Sequence, residues 1–291
     1  MGRRSARTTA KEARKKPQPR KRIAQVRPWN GADVAWVGIA LLIASALTIV
    51  LLGNRFTALM PDEGVVGVRI ALLIVFYLIL LMILAYRAHC RNLSFAEAYR
   101  LRRLSVEEWK KQQGHLQEKS GNFDDEQDAH SKDSLTAKQQ FLPAWKSVLL
   151  VIVFFFALRT FAIIYTYVTR ELGWVTPPST SLTDLFGATI FGLVAAVVSI
   201  VILAPLIEEL VFRVIMYDAF AQKLGIAAAV ILQGLIFSLY HFSLWAAIPN
   251  FLLALACVYL IQKCATSIPA IVLHVLYNAV VVAAAFYIAM V

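Results

Sequence analysis

The sequence predicts an all-α, polytopic membrane bundle of about seven spanning helices, and three observations point there. First, 59% of the 291 residues are hydrophobic and 16% charged, with a mean hydropathy of +0.65. Soluble domains carry roughly 45–50% and about 25%, so a soluble globule is excluded. Second, apolar runs of the length that crosses a bilayer, about 17–25 residues, recur along most of the chain. Third, the few ionisable residues inside those runs are clustered rather than scattered. The three cysteines, Cys90, Cys257 and Cys264, form no CxxC pair, which argues against a disulfide framework and a cysteine zinc site.

Residues 1–32 read as a basic tail. Met1–Asn30 holds eleven Lys/Arg against the single acid Glu12, and Pro17, Pro19 and Pro28 interrupt it. Such a run suits nucleic acid, an organelle transit signal or an anionic leaflet. Its position just before a first span favours anionic lipids on the cytoplasmic side, with no nucleic-acid partner. Residues 33–86 hold two spans, Val34–Leu52 and Val65–Tyr86, with Arg69 near the outer end as an interfacial anchor. Residues 87–146 form a polar cytoplasmic loop that mixes eleven Lys/Arg with nine Asp/Glu. Its first part, Leu93–Lys111, has the composition of an interfacial helix, and Ser120–Ser134 has that of a partly disordered segment.

Residues 147–291 make the membrane core, with spans at Val148–Val168, Gly187–Ile207 and its continuation, Ile226–Ile248, Phe251–Gln262 and Ile268–Val291. The sixth is short. Trp145, Trp174 and Trp245 sit near span ends as belt residues, and Cys257 and Cys264 read as packing residues. Arg159, deep in the third span, is open between binding a substrate carboxylate, pairing with a buried acid, and packing. The Lys/Arg bias of the tail and long loop sets the amino terminus in the cytoplasm, and the absence of an organelle signal points to a bacterial plasma membrane. No phosphate loop, nucleotide fingerprint or internal repeat is found. The sequence assigns no oligomeric state.

Charges within spans are costly and default to function. Here Glu208, Glu209 and Arg213 lie in the fourth span, His241 in the fifth, and His274 with Asn278 in the seventh. Glu208 lies 17 residues before the turn at Gly225 and His241 lies 16 after it. At 1.5 Å per residue these heights agree within about 2 Å, and a similar count sets His274 about 3 Å away. Glu209 and Arg213 are i,i+4 with the carboxylate first, the favourable order for an ion pair. Glu208 lies about 140° around the helix from Arg213, which leaves it free for proton transfer. His274 and Asn278, also i,i+4, present two donors suited to a developing oxyanion.

The ordered motifs EExxxR (Glu208–Arg213), FxxxH (Phe237–His241) and HxxxN (His274–Asn278) resemble the CPBP family of intramembrane glutamic proteases. That family includes CAAX prenyl endopeptidases and bacteriocin-processing or immunity proteins. The resemblance covers Gly187–Val282. It implies that Glu208 and His241 activate water, that His274 and Asn278 hold the oxyanion, and that neither cofactor nor metal takes part. A bacterial plasma membrane favours a membrane-associated protein or peptide substrate over a prenylated one, and the depth count has it enter from the cytoplasmic side or laterally from the inner leaflet, with Arg213–Lys223 lining the entrance. Val214 departs from the family, where glycine usually follows the arginine. Three rivals stand beside this reading: a non-catalytic scaffold or immunity protein, a metal-dependent hydrolase without the usual HExxH, and a proton-coupled transporter.

Overall fold

The computed structural model describes residues 29–52, 62–103, 105, 141–174 and 182–290. The basic tail through residue 28 and the polar stretch 106–140 lie outside the described residues, as do the expectations that fall on them. Every regular element described is helical. In chain order these are α1 (Gly31–Leu52), α2 (Asp62–Cys90), the short α3 (Phe95–Ala98), α4 (Ala144–Glu171), the short α5 (Leu182–Phe186), a long run α6 (Ile190–Leu224), α7 (Ile226–Tyr240), α8 (Leu244–Cys264) and α9 (Ile268–Met290).

Five of these helices are long and apolar enough to cross a membrane: α2, α4, α6, α8 and α9. Of two others, α7 is apolar but shorter, and α1 is apolar over Gly31–Ile43, the part whose side chains are described. The boundary between the expected fifth and sixth spans moves. Rather than running on to Ile248, α7 stops at Tyr240, and α8 starts at Leu244 where the Ser243 hydroxyl accepts from the Ala246 N–H at 3.3 Å. Pro249, which reads as a breaker, sits inside α8. Over its described part, through Arg103, the expected interfacial helix Leu93–Lys111 is helical only in α3, which ends just before Arg100 turns to φ 55°. Large apolar side chains such as Phe156, Ile163, Tyr167, Ile190 and Leu239 point outward, as a lipid-facing surface requires.

The most enclosed of the long helices is α6, and its geometry is not uniform. Two α-helical stretches, Ile190–Ala196 and Ala204–Glu208, are each followed by a wider π-helical one, Val197–Leu203 and then Glu209–Met216, before Tyr217–Leu224 closes the run. Pro205 explains the first widening, since proline has no N–H to give. In the π register each carbonyl accepts from the fifth residue on, as Ser199 does from Ala204. Ile200 would then look to Pro205 and find no donor. The chain turns from α6 into α7 at Gly225, whose φ of 81° and ψ of 168° only glycine adopts without strain. At the head of α6, a Cβ on Gly192 would meet the Gly187 carbonyl oxygen at 2.2 Å, so no other residue fits there.

One end of the bundle is fastened by polar contacts. Arg100 bonds both Asp218 carboxylate oxygens at 2.6 and 2.7 Å, with 4% and 1% of the two side chains exposed. Ser267 and Thr266 return to the backbone carbonyls of Tyr99 and Arg100, and Asp33 joins Arg87 and Arg91. Trp29 stacks on Tyr99 at 5.2 Å. The α2–α4 connection is thereby tied to the end of α6 and the start of α9. Removing one partner of a buried pair strands the other, so Arg100→Ala should cost about 3–5 kcal/mol. The exposed Arg102–Glu97 pair, 3.8 Å apart, should contribute under about 1 kcal/mol. Denaturation of the purified protein should therefore show a large loss for Arg100→Ala and almost none for Arg102→Ala.

Candidate active site

The second π-helical stretch of α6 carries the charged residues. All eight of its residues, Glu209 to Met216, are buried. A charge there must be matched within the protein, and the match is present. Glu209 Oε2 lies 3.3 Å from Arg213 Nε, and neither side chain has any exposure. The guanidinium also rests 3.8 Å from the centroid of the Phe237 ring, whose negative face suits a cation. The second carboxylate oxygen of Glu209 accepts a hydrogen bond from His274 Nδ1 at 2.8 Å. A carboxylate thus joins a guanidinium on its own helix to an imidazole on α9.

Glu208 is one residue earlier and has a different environment. It closes the Ala204–Glu208 stretch, where a step of about 100° turns it away from Arg213. Its Oε2 faces His274 Nε2 at 3.7 Å, and 14% of its side chain remains exposed. Within the Glu208, Glu209, Arg213 and His274 group, only Glu208 has appreciable contact with open space. The sequence-based division, Glu209 with Arg213 and Glu208 without it, describes the observed pairing.

His241 caps the C-terminal end of α7 and is exposed. Its Nδ1 lies 2.8 Å from the Phe237 carbonyl. A carbonyl only accepts, so Nδ1 carries a proton, and in the neutral ring the lone pair is then on Nε2. The ring meets Phe237 edge-on at 4.8 Å, and His274 meets the same ring at 5.7 Å from another side. Phe237 is therefore the hub between the two imidazoles and Arg213. Helices α6, α7 and α9 do converge on one layer, as the depth count expects.

Asn278 lies one turn along α9 from His274. Its Nδ2 donates to the Ile200 carbonyl at 3.0 Å, the acceptor that Pro205 leaves without a partner. One amide hydrogen of Asn278 is committed to α6, and the second is left for other work. The expected entrance along Arg213–Lys223 is not seen in its first half, because Arg213 to Ala219 are all buried. Sequence reading missed the hub role of Phe237, the neighbouring rings of Phe212 at 5.2 Å, and the Ile200 carbonyl. The i,i+4 spacing of Phe237 and His241 and the presence of Pro205 were the available signals. Among the described residues no group of three or more His, Cys, Asp or Glu is placed to hold a metal ion.

These residues fall within one recognisable domain. Residues 190–280 match the Rce1-like family of type II CAAX prenyl endopeptidases. That stretch holds all seven motif residues and is consistent with the CPBP resemblance of the sequence. The Rce1-like match supports, at the level of family, an intramembrane endopeptidase. No curated protein and no solved structure matches the chain.

The two glutamates should respond differently to neutralisation. Glu209→Gln or Arg213→Met leaves a buried charge unmatched, so each should lower stability by about 3–5 kcal/mol. Glu208→Gln removes a charge that pairs with neither Arg213 nor His274 closely and should leave the melting temperature nearly unchanged. Thermal melts of the purified variants check this, and equal losses for Glu208→Gln and Glu209→Gln would contradict the assignment.

Proposed function

We propose that the protein is an endopeptidase of the inner membrane layer, cutting a membrane-associated protein or peptide with a water activated by Glu208 and His241. The observation that carries this reading is the asymmetry of the two glutamates. Glu209 is enclosed by Arg213 and His274, while Glu208 faces His274 Nε2 and open space. A carboxylate left without the arginine partner is suited to take a proton from water, and the Nε2 lone pair of His241 offers a second acceptor. His274 and the free amide hydrogen of Asn278 supply the oxyanion donors.

The tautomer of His274 sharpens its role. Its Nδ1–H is given to Glu209, so Nε2 donates only when the ring is an imidazolium, with carboxylates at 2.8 and 3.7 Å on its two sides. That same contact supports a second reading, in which neutral His274, oriented by Glu209, is the base that acts on water beside Glu208. Substitution by glutamine separates the two, because glutamine can donate a hydrogen bond but cannot act as a base.

Water must reach this layer. Helix α7 has 15 residues, about 22 Å, against a hydrocarbon core of about 30 Å, so the non-helical turn at His241–Ser243 falls at membrane depth. Irregular backbone is tolerated there only when buried or lining an aqueous cavity, and His241 is exposed. The basic tail then lies on anionic lipid in the cytoplasm, and the substrate enters from that side or laterally, in a bacterial plasma membrane.

Proteolysis by protein reconstituted in proteoliposomes should be abolished in Glu208→Gln and His241→Ala. His274→Gln should lose about 10²–10³ in turnover if His274 is an oxyanion donor, and all activity if it is the base. Chelators should have no effect, since the water is activated without a metal. Capture of substrate by Glu208→Gln in native membranes, followed by mass spectrometry, would identify what is cut. Full activity in Glu208→Gln would sink the proposal.

A further inference from the structure

Arg159 is the one described cation in the middle of a spanning helix that the site above does not use. It lies 15 residues from Ala144 and 12 from Glu171, the ends of α4. At 1.5 Å per residue that is about 22 and 18 Å, too deep for the side chain to reach either surface. Its neighbour Leu158 is buried against the α8–α9 core, while Arg159 itself is half-buried. Its guanidinium lies over the Tyr277 ring, 5.0 Å from the centroid. Among the described residues it forms no ion pair. An arginine at this depth needs an anion or a strongly polar partner, and a neutral tyrosine, by its ring and its hydroxyl, supplies only part of that.

Tyr277 also fixes where Arg159 stands relative to the chemistry. It follows His274 by three residues, about 4.5 Å along α9, and directly precedes Asn278. An extended peptide covers about 3.3–3.6 Å per residue. A peptide bond held at His274 would therefore bring a group one to three residues away within reach of the guanidinium. Lipid phosphates stay at the membrane surfaces, so an anion at this depth arrives on the peptide itself. Guanidinium and carboxylate match each other in a bidentate pair, which ammonium does not reproduce.

We infer that Arg159, held over Tyr277, is a carboxylate-binding subsite that fixes substrates carrying an acid group within about three residues of the bond to be cut. The carboxylate is either the carboxyl terminus of the peptide or an Asp or Glu side chain. The inference rests on the endopeptidase reading, so its test uses binding without turnover. It selects a register: a peptide anchored by its acid group offers a fixed bond to Glu208.

The test uses the full chain carrying Glu208→Gln in lipid nanodiscs and three tripeptides: acetyl-Leu-Leu-Leu as the free acid, the same peptide as its amide, and acetyl-Leu-Glu-Leu amide. Calorimetric titration should show one or both acidic peptides binding about tenfold or more tightly than the neutral amide. Which acidic peptide is preferred tells the terminal carboxylate from the side-chain one. Adding Arg159→Gln should remove the preference, and Arg159→Lys, which keeps the charge and the fold, should weaken it. Equal affinity for all three peptides, or a preference that survives Arg159→Gln, overturns the inference. A preference in a protein that hydrolyses nothing would overturn the proposed function and leave the subsite standing. Hydrolysis without a preference would do the reverse.

Discussion

Arg213 places a permanent charge on a helix whose surrounding turns are wholly buried, and much of the site's order follows from neutralising it. Glu209 sits at the right spacing to do so, and Phe237 covers the guanidinium from α7. Because Glu209 is then fixed, its other oxygen can hold His274 by Nδ1 and aim Nε2 across at Glu208. The proposed chemistry sits on Glu208, the residue that this arrangement leaves out. Two adjacent glutamates acquire separate duties through one helical step, and neither could exchange places with the other without stranding the arginine.

The shape of α6 is the second constraint. A helix of uniform α geometry would pair each carbonyl with the fourth residue on. Pro205 denies that pattern a donor, and the chain widens into π geometry ahead of it and again after Glu208. Asn278 repairs the loss by donating to the Ile200 carbonyl, which locks α9 to α6 one turn beyond His274. The residue proposed as an oxyanion donor is thus also a structural clamp, so its removal would disturb two things together. Local widening of a helix beside reacting groups is a common device where a side chain must be re-aimed.

The sequence made the membrane bundle legible because apolar runs are properties of single segments. The layer of Glu208, His241 and His274 was also legible, since helical rise is nearly fixed and rare polar residues in lipid stand out. What the sequence did not show depends on contacts between segments. The break at His241–Ser243 has no glycine or proline, and Pro249, the evident breaker, is absorbed within α8. Arg100 bends out of helix because Asp218, distant in sequence, draws it in. The role of Phe237 is invisible in a pattern that registers an aromatic only as apolar.

The measurement closest to the centre of this arrangement is an experimental map of the full chain in lipid, at a resolution that separates the two glutamate side chains. The expected result is Glu209 between Arg213 and His274, with Glu208 turned to the cavity beside His241 and bridged to it by ordered solvent. A map with Glu208 on Arg213 and Glu209 facing the cavity would contradict it.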